Sequence, residues 1–345
     1  MRCLTPLILL CLAIANPAIA TTPYNSAQSN LEIPDPDGQR PLEGWLWYPT
    51  EADSAEQKIA GNAVWAEIRA RRDVPIAPGR HPLVLLSHGT YGNIYNQGWL
   101  AQALASHGYM VAAVNHPGTT SRNRDKQQAA KLWERTRDLS RIVDHLLSDE
   151  QTAASVDPEK IAASGHSLGG HTVMRLLGAI HDDKRHDESC APDPSRIDCR
   201  VVRRFGVGQS AANSAQLLQS LEDPRIRAVI TLDLGGTQTF TPESLKTVSR
   251  PVMVIGVEPD PIMDQRLESL LLTESLPAEL VQYMKLPGGA HFDFMGICTD
   301  RAKEILMDEE PEDVVICENG TKARAKKHQV LTDAIIGFLK TTGVD

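Results

Sequence analysis

The sequence predicts an α/β fold: a mostly parallel central sheet flanked by helices on both faces. Two observations carry that expectation. Apolar runs without alternation, such as PLVLLS (82–87) and YMVAAV (109–114), suit strands buried on both faces. Segments of helical periodicity separate them, as over 127–148, where Leu132, Leu139, Ile142, Val143 and Leu146 fall on one face. Strands that alternate with helices along a chain assemble into parallel sheets, and ligands then bind beyond the carboxyl ends of the strands.

In chain order, LEGWLWYP (42–49) reads as an early strand ended by proline. Residues 55–72 read as a helix with Ile59, Val64, Trp65 and Ile68 on its apolar face. The strand at 82–87, a helix around Trp99 to His107 and the strand at 109–114 follow, then the helix at 127–148 and a short strand at 160–164. Further strands are expected at Ile226–Leu232, Val252–Val257 and Val281–Leu286, with a closing helix near 328–340. Residues 182–204 break this rhythm, being polar, proline-containing and bracketed by Cys190 and Cys199. They read as an insertion that either overhangs the functional site as a lid or forms a stapled surface loop.

With 345 residues, 41% hydrophobic and 23% charged, the chain suits one large domain over 21–345 carrying insertions. Residues 1–20 differ from the rest. Arg2, the apolar stretch Leu4–Ala15 and the small-x-small pattern Ala18-Ile19-Ala20 read as a signal peptide, which places the mature protein in the periplasm or outside the cell. No other segment is apolar enough to cross a membrane. Arg2 is the only charge in that stretch, so its removal takes the net charge from −9 to about −10. Such an acidic chain lacks the electrostatic footprint for nucleic acid or anionic membranes. The basic run 322–327 reads as a solvated helix face.

Four cysteines remain after the leader: Cys190, Cys199, Cys298 and Cys317. An even number in an exported chain favours disulfides, and the sequential pairing, Cys190–Cys199 and Cys298–Cys317, closes two short loops. No Cys-x-x-Cys or His-x-x-x-His spacing supports a metal site, and no cofactor is expected.

The chemistry centres on KIAASGHSLGGHTVM (160–174). Ser167 stands between Gly165 and Gly169 where a strand gives way to a helix, the pattern of a nucleophile elbow; a helix-capping serine is the plainer alternative. A serine hydroxyl needs a base, an orienting acid and N–H donors for the oxyanion. Only His291 and His328 lie late in the chain. His291 follows the last strand, whereas His328 reads as a surface residue at the start of the terminal helix. For the acid, Asp233 ends one strand and Asp260 follows the next, with Glu258 a weaker third; spacing alone does not decide between Asp233 and Asp260. The N–H of Leu168, after the serine, and that of Thr90, in the Ser87–Gly92 loop, are the candidate oxyanion donors. His88 and His116 precede the serine and are poor candidates for the base.

The stretches LLSHGTYGN (85–93), LASHGYMVAAVNHPG (104–118), KIAASGHSLGG (160–170), IRAVITLD (226–233) and GGAHFDF (288–294) resemble the platelet-activating-factor acetylhydrolases, and equally the bacterial proteins called dienelactone hydrolases. The resemblance covers about 35–340 and implies an α/β-hydrolase fold. It places the nucleophile on Ser167, the base on His291 and the acid on Asp233 rather than Asp260. The expectation is a secreted serine hydrolase of small carboxylic esters, with phospholipid or polyester substrates, or a non-catalytic binding role, as alternatives. The cysteine-bracketed insertion and Cys298–Cys317 depart from the animal enzymes, so their phospholipid substrate does not carry over.

Overall fold

The computed structural model describes residues 24–260 and 262–345, and the leader expected at 1–20 lies outside them. The strands are β1 (Asn25–Ile33), β2 (Leu42–Thr50), β3 (Gln57–Ala60), β4 (Ile68–Arg72), β5 (His81–Ser87), β6 (Met110–Val114), β7 (Val156–His166), β8 (Ile226–Leu232), β9 (Val252–Gly256) and β10 (Val281–Lys285). They form one sheet in the order β10-β9-β8-β7-β5-β6-β2-β1-β4-β3. From β10 to β6 every neighbouring pair is parallel, and β2 joins β6 antiparallel.

Between strands run α1 (Gly98–Ser106), α2 (Lys126–Ala129), α3 (Leu132–Ser148), α4 (Leu168–Arg175), α5 (Asp183–Cys190), α6 (Ile197–Phe205), α7 (Ala211–Leu217), α8 (Pro242–Lys246), α9 (Ser269–Ser275), α10 (Ala302–Glu309) and α11 (Thr321–Thr341). The two-residue period of β5 shows why the sheet needs helices on both sides. Leu83 and Leu85 pack with α3 and α4 residues such as Leu139 and Val173. Val84 and Leu86 point the other way, against Leu100 and Leu104 of α1 and Leu331 and Ile335 of α11. Each such side chain taken out of water stabilises the fold by roughly 1.5–3 kcal/mol.

Three sequence expectations need correction. Residues 55–72 form no helix; they make β3 and β4, which extend the sheet, β4 parallel to β1 and β3 antiparallel to β4. The spacing of Ile59, Trp65 and Ile68 mimics a helical face, but pairing at a sheet edge outweighs local periodicity. β1 itself is absent from the sequence expectations because its buried positions include Ser26 and Gln28, which carry no apolar signal. The insertion, for which the sequence leaves a lid and a stapled loop both open, is built of two helices, α5 and α6, so the loop reading alone is overturned.

The third correction concerns part of the basic run and His328, since Lys322 and Lys326 are exposed on a helix as expected. Helix α11 starts at Thr321, so 322–327 forms its first two turns, and Arg324 is buried. Asp293, equally buried, is its partner at 3.3 Å; Lys327 reaches the same carboxylate at 2.6 Å and Asn319 Nδ2 at 2.7 Å. His328 is buried as well, with Nε2 2.9 Å from the Asp293 carbonyl and its ring stacked on Trp99 at 3.8 Å. This knot holds the segment from 290 to 296 against α11 and α1. Removing Asp293 strands a buried guanidinium, so Asp293→Ala is expected to cost about 3–5 kcal/mol, read as a drop in the denaturation midpoint; a cost below about 1 kcal/mol contradicts the knot.

Candidate active site

Four of the residues singled out in the sequence stand just past carboxyl ends of parallel strands: Ser167 after β7, Asp233 after β8, Asp260 after β9 and His291 after β10. Ser167 adopts φ 54° and ψ −122°, a backbone conformation that costs an ordinary residue on the order of 1–3 kcal/mol. The turn is held by the Ser167 N–H on the Leu232 carbonyl at 3.0 Å and the Gly170 N–H on the Ser167 carbonyl at 2.8 Å. It closes only because its flanks are bare. A Cβ on Gly165 would stand 2.1 Å from the Gly169 carbonyl oxygen, and one on Gly169 would stand 1.9 Å from that of Ser87.

The Ser167 hydroxyl makes no hydrogen bond among the described residues. Neither do the backbone N–H groups of Leu168, at the start of α4, and Thr90, in the loop after β5. Both donors are thus unspent, and the Leu168 N–H stands at the positive end of a helix. The Thr90 loop is braced from beneath by Arg135. Fully buried, it donates to the His88 carbonyl, to Ser87 Oγ at 3.2 Å and to the hydroxyls of Thr119 and Thr172. His88 accepts the His116 N–H at 3.1 Å. His116 spans Ser87 Oγ at 3.0 Å and Asp138 at 2.8 Å, and Asp138 is in turn clamped by Arg40. Both histidines are therefore sealed structural elements. No sequence signal short of three-dimensional contact links Arg40, Arg135 and Asp138 to the loop.

On the other side of Ser167, His291 Nδ1 lies 2.5 Å from Asp233 Oδ2, and its Nε2 has no protein partner among the described residues. His166, the residue before the serine, places Nε2 2.8 Å from the His291 carbonyl oxygen and so ties the histidine loop to the elbow. Asp233 also accepts from Gln265 Nε2 at 2.8 Å and from the Val257 N–H at 3.3 Å. Asp260 is drawn to the same place: its Oδ2 is 4.0 Å from His291 Nδ1 and 3.5 Å from Gln265 Nε2. The two acids left open by spacing thus converge on one histidine, with Asp233 making the hydrogen bond. Burial and the charge of Asp233 push Asp260 up to about 6. Burial acts on Asp233 in the same sense, but the hydrogen bond and charge of His291 outweigh it and hold that carboxyl below its ordinary value. Glu258 instead pairs with Lys285 at 3.0 Å.

The cysteine sulfurs sit at bonding distance in the sequential pairing, 1.94 Å for Cys190–Cys199 and 2.06 Å for Cys298–Cys317. Two groups of side chains bring potential metal ligands within 4.8 Å of one another, Asp233–Asp260–His291 and His186–Cys190–Asp198–Cys199. In the first, His291 Nδ1 is committed to Asp233, and in the second the two sulfurs are committed to each other. A cleft of about 920 Å³ opens beside His291, between Phe292 and Asp260 on one wall and Arg196, Ile197 and Arg200 of the insertion on the other.

A search of solved structures finds a ferulic acid esterase from Streptomyces cinnamoneus with a TM-score of 0.62, covering 95% of this chain and 92% of that one at 21% identity. The fold is that of an α/β hydrolase. The family model described as Serine aminopeptidase, S33 matches residues 79–189, which run from β5 through the elbow into α5. Among the relatives, cutinase est2 of Thermobifida alba is 24% identical over 61% of the chain and 52% of its own length. The platelet-activating factor acetylhydrolase of Cavia porcellus is 29% identical over 50% of the chain and 51% of its own length. The chain thus spans about half the length of these curated relatives. Among the described residues no helix is long and apolar enough to cross a membrane.

Two expectations follow from this geometry. Gly169→Ala is expected to destabilise the protein by more than about 3 kcal/mol, because the new methyl meets backbone rather than a movable side chain; a melting temperature within a degree or two of the parent contradicts the contact. The second concerns acid. Burial holds His88, His116, His166, His171, His181 and His328 neutral, with His116 and His166 down to about 3 and His328 to about 4. Released by unfolding, these groups bind protons near their ordinary value of about 6.5. Their contribution to stability is therefore complete above that pH and lost as pH falls toward the folded values. Asp260 and Glu268, raised by burial to about 6 and about 8, act in the opposite sense but are outnumbered. The urea midpoint is expected to fall steadily from pH 6.5 to 4.5; a flat or rising midpoint contradicts a neutral buried set.

Proposed function

We propose that this α/β hydrolase is an exported serine hydrolase of carboxylic esters. The observation that carries the reading is the serine on a strained elbow, its hydroxyl unbonded, set between two unspent N–H donors and a His–Asp pair. In this reading His291 Nε2 takes the proton of Ser167 as Oγ attacks the ester carbonyl. Leu168 and Thr90 N–H groups receive the oxyanion. Asp233 keeps Nδ1 protonated and stabilises the imidazolium. His291 then returns the proton to the departing alcohol, and water, activated by the same histidine, releases the acyl group from Ser167. Relatives named cutinase and platelet-activating factor acetylhydrolase support ester cleavage as the chemistry. The leader-like residues 1–20 and the two cysteine pairs at bonding distance support export. A purely binding role has no use for a strained serine beside an unspent histidine nitrogen.

Ser167→Ala is expected to abolish turnover of 4-nitrophenyl butyrate and labelling by a fluorophosphonate probe, with the circular dichroism spectrum unchanged. Retained turnover in that variant would falsify the mechanism. Asp233→Asn is expected to lower kcat about 10³- to 10⁴-fold, and Asp260→Asn less than about tenfold. Because Asp260 stands beside the histidine, the double variant is expected to fall below Asp233→Asn alone. The reverse ranking of the single variants assigns the acid to Asp260.

A further inference from the structure

The far end of α6 from the residues that line the 920 Å³ cleft carries a feature the ester-cleaving chemistry does not use. Tyr91 follows Thr90 in the oxyanion loop and, like Ser167, holds a left-handed backbone conformation, with φ 51°. A Cβ on Gly89, two residues earlier, would stand 3.1 Å from Ser167 Cβ, so the loop lies directly against the serine. The Tyr91 ring packs in the same apolar cluster as Leu168, edge-on to Phe205 of α6 at 5.4 Å.

Over that ring lie two guanidiniums, Arg124 with its central carbon 4.6 Å from the ring centroid and Arg204 at 5.3 Å. Among the described residues neither has a carboxylate oxygen within 4.0 Å, and neither donates a hydrogen bond. Asp125, next to Arg124, spends its carboxylate capping α2. Glu310 feels the charge of Arg124 without pairing with it. Arg40, Arg196 and Arg324, by contrast, are each paired with a carboxylate. Two guanidiniums gathered on one ring and left unneutralised repel each other, an arrangement that an arriving anion relieves.

The cleft beside His291, by contrast, is lined by eight carboxyl groups and three arginines. The Tyr91 cluster is thus a local excess of positive charge next to an acidic cleft.

We propose that Arg124 and Arg204, presented on Tyr91 beside the oxyanion loop, form a receptor for an anionic group, so that the preferred esters carry a carboxylate or similar oxyanion on the acyl or the alcohol part. The inference rests on the ester-hydrolase reading and names its substrate class. The insertion takes part directly, because Arg204 and Phe205 close α6. The arginines act on binding, and the bond-breaking steps at Ser167 are unchanged.

The test uses two matched pairs of esters and the full-length protein. One pair is 4-nitrophenyl hemiglutarate against 4-nitrophenyl valerate, with the anion on the acyl part. The other is 4-acetoxybenzoate against its methyl ester, with the anion on the alcohol part. In at least one pair the ratio of kcat/KM, anionic over neutral, is expected to drop roughly tenfold in the Arg124→Gln/Arg204→Gln double variant, through KM, with the neutral ester turned over as before. The Arg124→Lys/Arg204→Lys variant is expected to keep part of the preference. Salt near 1 M is expected to erase it in the parent protein. The pair in which the ratio moves identifies the end that bears the anion. Unchanged ratios in both pairs overturn the proposal, as does an equal loss on neutral and anionic esters, which marks the arginines as structural. Failure of the parent protein to cleave any of the four esters counts against the hydrolase reading instead.

Discussion

A contact between bare stretches of backbone underlies the site. Gly165 and Gly169 let the end of β7 and the first turn of α4 close on each other and on the end of β5, with no room for a methyl group at either position. Only that approach holds Ser167 in its left-handed conformation and points the start of α4 at the space in front of it. The same approach brings the loop after β5 alongside, so that a Cβ on Gly89 would stand 3.1 Å from Ser167 Cβ. The strain at Ser167 is maintained by the packing of β5, β7 and β8 around it, which is why it sits in the middle of the parallel sheet rather than at an edge.

Around this point the molecule uses buried charge as scaffolding. Arg135 reaches under the Thr90 loop, and Asp138 binds both His116 and Arg40. On the opposite flank Asp293 gathers Arg324, Lys327, Asn319 and the Ala290 N–H, which fixes the loop that carries His291. Isolated ions in such places are costly, but each here has several partners, and the geometry they enforce is specific. The two networks leave the three groups proposed to react free of other commitments: the serine hydroxyl, the outer nitrogen of His291 and the paired amides. The short interval from His291 to Asp293 thus joins a site residue to the brace that positions it.

The central strands and their succession along the chain were legible because each is an apolar run bounded by turn residues, and burial on both faces leaves that mark directly in composition. Ser167 and His291 were legible for a related reason. The elbow imposes glycine at fixed offsets, and a late histidine after the last strand has few competitors. The choice between Asp233 and Asp260 was not, since both follow strands and both prove to lie beside His291. A hydrogen-bond direction separates them, and spacing does not encode it. The errors share a cause. Residues 55–72 carry a helical rhythm yet pair at a sheet edge, and Arg324 and His328 look like solvated charge yet are buried against Asp293 and Trp99. Local pattern records what a segment can do alone, whereas these segments answer to partners tens to hundreds of residues away.

By itself, then, the sequence determined the α/β class, the succession of central strands and the serine and histidine at their ends, because these depend on periodicity and on glycine sterics within a few residues. Tertiary structure alone decided which acid bonds the histidine, which buried arginines brace the loops and how the insertion's last helix brings Arg204 to Tyr91. Those outcomes are set by contacts between side chains far apart in the chain, and their distances exist only once the sheet has assembled.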